Sequence, residues 1–299
     1  MDKRDYDVIF GLTNALNRDN GAAFTDTGRL KMIEDYLKDS YSYTCLNPDG
    51  KFSRIYARGA FLTAKCPVVI SAHIDCKQKD AVDPGIYYPF CRRTPGGKCL
   101  QGTFDNAITN AAALLDILDG DLEAEVAVAF TGDEEVNSNG AAEVMRFVKE
   151  NCRSAKAVTY ITLDVTYDNA WGKAAFTIEN NYMSRDDLGN IWLNDACFGA
   201  PGQWKYLPRK SGAFPNSIHE MVRLKEESMP DESEAYSMAE NARAFSICIP
   251  TDDNEEDNFM HTDYGIKVRI EDFDNYRKAV AFIANRFTVP RKDWAMMVC

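Results

Sequence analysis

Positive charge is in short supply in this chain: 34 lysines and arginines face 46 aspartates and glutamates, a formal net charge of −12. That balance argues against a nucleic-acid backbone or an anionic membrane as partner. It suits cation binding, although a solvated acidic surface accounts for most of it. Long apolar runs are missing too. No stretch reaches the roughly 20 residues a membrane-spanning helix needs. The charged start, Met1-Asp2-Lys3-Arg4-Asp5-Tyr6-Asp7, has no apolar segment behind it, so no signal peptide is visible. The nine cysteines contain no C-x-x-C, and such scatter in a chain this long reads as reduced thiols of a cytoplasmic protein. Cys91 and Cys99 share one loop, where pairing or metal binding is the less favoured alternative. Internal repeats and low-complexity linkers are absent. Histidine is rare, with three in all: His73, His219 and His261. What is present, 299 residues of which 45% are hydrophobic, is ample for a large core.

Apolar periodicity predicts a short helix over 8–16 and a second to about Tyr36, capped by Thr25 or Asp26. Residues 41–60 read as a hairpin around Asn47-Pro48-Asp49-Gly50. Val68-Val69-Ile70-Ser71-Ala72-His73-Ile74-Asp75 is a buried β-branched strand ending in a histidine, one spacer and an aspartate. Period-two geometry points His73 and Asp75 the same way. A long irregular stretch, 76–103, follows. The order then runs helix (105–118), strand (125–130), helix (140–151) and strand (157–164). Further strands are expected at 174–178 and 244–249, helical segments at 185–197 and 231–240, and a closing helix at 271–287. Strands alternating with helices predict an α/β fold, a three-layer α/β/α sandwich with a mixed, mostly parallel sheet.

In a parallel sheet the strand ends share one edge. Four of them deliver acids or imidazoles here: His73 with Asp75, Glu134 with Glu135, Asp164, and later His261. Asp105 opens a helix directly after the long loop. Taken singly these residues are weak signals. A lone histidine is more often held by hydrogen bonds, adjacent glutamates are usually solvated, and Asp164 could cap a helix. Together, mixed nitrogen and oxygen donors suit two divalent ions, zinc first, with cobalt or manganese as alternatives.

These residues resemble the co-catalytic zinc exopeptidases of the M28, M20 and M42 type. The matching pieces are His73-Ile74-Asp75, Gly102-Thr103-Phe104-Asp105-Asn106 with Ala112-Ala113-Leu114-Leu115, Thr131-Gly132-Asp133-Glu134-Glu135, Leu163-Asp164, and His261-Thr262, spread over roughly 60–290. The resemblance implies that His73 and Asp164 hold one metal, Glu135 and His261 the other, and that Asp105 bridges them. Asp75 would orient His73, and Glu134 would be the general base of metal-assisted amide hydrolysis. It also implies a cis peptide after Asp105. Asn106, Phe104 and Cys248-Ile249-Pro250 depart from the family pattern, at positions expected to shape the pocket and not to ligate.

Within that superfamily the M20 enzymes carry a lid domain between the fourth and fifth motifs. Here His261 lies 97 positions after Asp164, and that interval must also hold core strands and a helix. The expectation is therefore a single catalytic domain over 1–299, without a full lid but with room for small insertions at 76–103 and 170–230. This layout is closest to M28-like aminopeptidases acting on a peptide or aminoacyl substrate. His219 is a substrate-side candidate for steadying an oxyanion, with an ordinary loop histidine as the plainer reading. The alternatives are an N-acyl amino acid deacylase, a dipeptidase or carboxypeptidase, a glutaminyl-cyclase-like enzyme, and a catalytically silent scaffold. Substrate side-chain preference and oligomeric state are not legible.

Overall fold

The computed structural model describes residues 1–15, 24–40, 42–76, 89–166, 171–172, 175–179, 235–236, 243–253, 259–262 and 264–289. Helix α1 (Lys3–Asn14) starts earlier than its apolar face suggests, because the Asp2 carboxylate accepts the Asp5 N–H at 2.9 Å and caps it. Helix α2 (Gly28–Leu37) is capped by Thr27, not by Thr25 or Asp26. The Thr27 hydroxyl accepts the Leu30 N–H at 3.3 Å. Strands β1 (Thr44–Cys45) and β2 (Ser53–Ala57) form the expected hairpin. Strand β3 (Val68–His73) is buried at every position.

The stretch 76–103 is less irregular than it reads. It contains a hairpin, β4 (Cys91–Arg93) and β5 (Cys99–Gly102), closed by Thr94-Pro95-Gly96-Gly97. Cys91 pairs across it with Gly102, and both Cys91 and Cys99 are free thiols. Helix α3 (Ala107–Asp119), strand β6 (Val126–Thr131) and helix α4 (Asn139–Asn151) follow as expected within two residues. Gly120 ends α3 in the left-handed conformation, φ 75°, where its N–H closes on the Asp116 and Ile117 carbonyls. Strand β7 (Thr159–Thr166) begins later than expected and runs two residues past Asp164. Strands β8 (Thr177–Glu179) and β9 (Arg243–Pro250) complete the main sheet. Strand β10 (Ile266–Arg269), not anticipated, precedes helix α5 (Ile270–Phe287). The helix expected at 185–197 lies outside the described residues; of 231–240 only Ala235 and Tyr236 are described, and they are helical.

The main sheet has seven strands in the order β1-β2-β6-β3-β7-β9-β8. Its centre, β6-β3-β7-β9, is parallel, and the strands outside it pair antiparallel. Alternation along the strands sorts side chains to two faces. Val68, Ile70, Ala72, Val126, Val128 and Phe130 pack with α1, α2, α3 and α5. Ile55, Ala57, Val69, Ala127 and Ala129 pack with α4 on the other face. Burying an aliphatic side chain of this kind is worth about 1.5–3 kcal/mol, so both faces are strongly specified and three layers result. A smaller sheet, β10-β5-β4, is antiparallel throughout. No helix among the described residues is long and apolar enough to cross a membrane.

Candidate metal centre

Three parallel strands bring their C-terminal ends to one edge. His73 of β3 lies level with Thr131 of β6, and Ser71 level with Thr162 of β7. Asp164, two residues past Thr162, thereby reaches the height of His73. Glu134 and Glu135 sit in the turn after β6, which Asp133 opens with φ 65°. The Asn137 and Ser138 N–H groups close that turn on the Asp133 carbonyl. Asp105 stands just before α3, and the Asp105–Asn106 peptide is cis.

The His73 imidazole is the hub. Its Nε2 lies 3.4 Å from Asp105 Oδ1, 3.8 Å from Asp164 Oδ1 and 3.9 Å from Glu134 Oε2. On its other side Nδ1 is 3.2 Å from the Asp75 main-chain carbonyl and 3.5 Å from Asp75 Oδ1. The expected Asp75 contact is therefore present, but the nearer acceptor is the carbonyl of the same residue. The other Asp75 oxygen accepts the Glu135 N–H at 3.2 Å, so Asp75 ties the β3 end to the glutamate turn. Burial by itself pushes the His73 imidazole down, but Glu134, Asp105, Asp164 and Asp75 outweigh it and hold the group well above its ordinary range. Burial also raises the Asp164 carboxyl, against the pull of His73. So much carboxylate in a buried place calls for positive charge.

The donor set fits a metal. His73, Glu134 and Asp164 offer ligand atoms within 4.8 Å of one another, and so do His73, Asp105 and Glu135. Imidazole nitrogen with carboxylate oxygens is a zinc-, cobalt- or manganese-type environment. The backbone of His261 lies in the short turn Phe259–His261. Its side chain, and the whole of His219, fall outside the described residues.

Several residues support the site without being candidate ligands. Arg29 of α2 is fully buried, and its guanidinium donates to the carbonyls of Leu12 (3.2 Å), Ile74 (3.1 Å), Asp75 (3.5 Å) and Asp105 (3.4 Å). It clamps the β3 end to the segment before α3. Nothing in the sequence around Arg29 distinguishes it from a surface arginine. Asn106, Thr109 and Asn110 were readable, as polar residues at helical spacing in an otherwise apolar segment. Asn106 Nδ2 donates to the Leu163 carbonyl at 2.7 Å, and Asn110 Nδ2 donates to the His73 carbonyl at 2.8 Å. Thr109 donates back to the Asn106 carbonyl at 3.2 Å. The departure at Asn106 thus has a reason: a carboxylate there could not donate to Leu163.

No protein-family model matches the sequence, and no curated protein does. Solved structures match it by fold. Aminopeptidase APDkam598 from the archaeon Desulfurococcus kamchatkensis aligns over 99% of this chain and 97% of its own, with TM-score 0.61 and 12% identity. PhTET1-12s, a dodecamer, aligns over 95% and 99%, with TM-score 0.61 and 13% identity. The LapA aminopeptidase of Legionella pneumophila aligns over 96% of this chain and 70% of its own, with TM-score 0.55 and 19% identity. At such identities the likeness is one of fold.

Proposed function

We propose that this chain is a metal-dependent hydrolase of peptide bonds, an aminopeptidase with two divalent ions and a glutamate base. The observation that carries the reading is the convergence of Asp105, Glu134 and Asp164 on one nitrogen of His73 at the shared edge of three strands. His73 and Asp164 would hold one ion, Glu135 and His261 the other, with Asp105 between them. Two such ions, zinc or else cobalt or manganese, supply Lewis acidity and a water of lowered pKa when bound.

The chain's own residues do the rest. Asp75 holds Nδ1 of His73 and so leaves Nε2 as the ligating nitrogen. Glu134 accepts the proton of the attacking water and passes it to the leaving amine nitrogen as the amide C–N bond breaks. Its burial, at 7% exposure, keeps bulk water from competing for that proton. A carboxylate-rich site suits a substrate with a free N-terminal amine. The reading takes 1–299 as one catalytic domain without a full lid, with His219 as a substrate-side candidate.

Metal analysis joined to a substrate panel tests it. The protein loaded separately with zinc, cobalt and manganese should retain about two ions per chain and hydrolyse aminoacyl amides. Turnover confined to N-acyl amino acids or to C-terminal dipeptides would move it to another branch. No retained metal would sink the hydrolase reading.

A further inference from the structure

Asp253 lies in the loop after β9 and is 5% exposed. Both of its carboxylate oxygens serve one short turn. Oδ1 accepts the Phe259 N–H at 2.8 Å, and Oδ2 accepts the Met260 N–H at 2.9 Å. These are the opening N–H groups of the turn Phe259–His261, which have no partner within it. Bonds from N–H to an ionised carboxylate are the stronger kind. The far side of the turn closes on itself, with the Thr262 N–H and hydroxyl both donating to the Phe259 carbonyl at 3.0 Å.

Asp253 is itself anchored to the sheet. Its N–H donates to Thr251 Oγ1 at 3.4 Å. The Thr251 N–H donates to the Thr166 carbonyl at 2.8 Å, and its hydroxyl donates to the same oxygen at 3.2 Å. Thr166 stands two residues past Asp164 on β7. A continuous hydrogen-bonded path therefore runs from the strand bearing Asp164 through Thr251 and Asp253 to the turn bearing His261.

We propose that Asp253 is a positioning residue that fixes the turn of His261 relative to Asp164, and so sets the affinity of the second metal position without touching a metal. The inference rests on the two-metal reading above. Asp252, its neighbour, is a built-in control: its Oδ1 accepts the Lys267 N–H of β10 at 2.6 Å, and its Oδ2 accepts from the Lys267 ammonium, so its carboxylate serves β10.

Cobalt(II) titration of the metal-free full-length protein, followed by visible absorption, tests this. Wild type should take up two ions in resolved steps, and His261→Ala should lose one of them. Asp253→Ala should keep the first step and weaken the second by about 10–100-fold, the usual effect of removing a group that orients a ligand. Asp253→Asn, which retains one accepting oxygen, should lose less, and Asp252→Asn should match wild type. Far-ultraviolet circular dichroism of each variant checks folding. If Asp253→Ala unfolds, the Asp253→Asn titration decides alone. Wild-type second-step affinity in the folded Asp253 variants would overturn the proposal. So would an Asp252→Asn loss equal to that of Asp253→Ala, since the effect would then be general loop integrity. A wild type binding fewer than two ions would fail the function reading first, and this inference with it.

Discussion

Glu134 and Glu135 are neighbours in sequence, yet one is buried and the other half-buried, and that difference separates their proposed tasks. Glu134→Gln keeps shape and removes the base. It is expected to retain two metals while kcat falls by about 10²–10⁴, read by steady-state kinetics beside metal analysis. Full activity in that variant would refute the role. Asn106 gives a prediction of a different kind. Asn106→Asp would exchange a donor at 2.7 Å from the Leu163 carbonyl for a buried charge. A cost of about 1–3 kcal/mol or more follows from the lost bond and desolvation, measurable by urea unfolding. An unchanged midpoint would show that the contact contributes nothing. His73, Glu134 and Asp164 were legible in the sequence because strand ends advertise them, and Asp105 because it opens a helix after a long loop. Arg29 was not, because its partners are main-chain carbonyls on three distant segments, and backbone acceptors leave no mark on residue identity.

Among the elements, α4 shows how closely the chain is fitted. A Cβ on Gly140 would stand 2.7 Å from the Gly132 carbonyl oxygen and 2.8 Å from that of Phe52, both backbone. The helix start therefore rests directly on the end of β6, below the glutamate turn. Gly140→Ala is expected to destabilise by about 1–3 kcal/mol through overpacking. It should also lower metal affinity, because the turn of Glu134 and Glu135 must shift; equal stability to wild type in thermal melts would refute the fit. Helix α5 carries a pH dependence. Burial pushes the Asp272 carboxyl up to about 6, although Arg269 lies 3.7 Å away. Its folded pKa exceeds the unfolded value of about 3.9, so the stability it contributes is present below pH 4 and falls as pH rises to about 6. Asp272→Asn cannot ionise. It should therefore gain on wild type by on the order of 1 kcal/mol at pH 7 compared with pH 4, after allowing for solvent screening. Urea unfolding at the two pH values checks the sign. Helices α2 to α5 and the central strands were legible, since their periodicities are sustained. Strands β4, β5 and β10 were not, because three- and four-residue strands beside Gly and Pro look like loop, and only the pairing of β5 with the distant β10 turns the β4–β5 hairpin into a sheet.

At the scale of the whole molecule, the sandwich presents its acids at one edge and its cores on either side of the sheet. Metal bound only by the folded state stabilises it by mass action, about 2.7 kcal/mol at a hundredfold excess over Kd. Dialysis against a chelator should accordingly lower the melting temperature by roughly 5 °C or more, and zinc should restore it. A melting temperature indifferent to chelation would contradict the assembled site. The small sheet bears on tolerance to change in chain length. Gly102 of β5 faces Ile266 of β10, three residues before Asp105 and five after His261. Lengthening the Thr94–Gly97 turn leaves that register alone and should be accepted. A single residue inserted between Gly102 and Asp105, or between His261 and Ile266, changes the reach of one proposed ligand against the other. The spacing of those two short segments should therefore be the part of this chain least free to vary in length, however widely its turns drift.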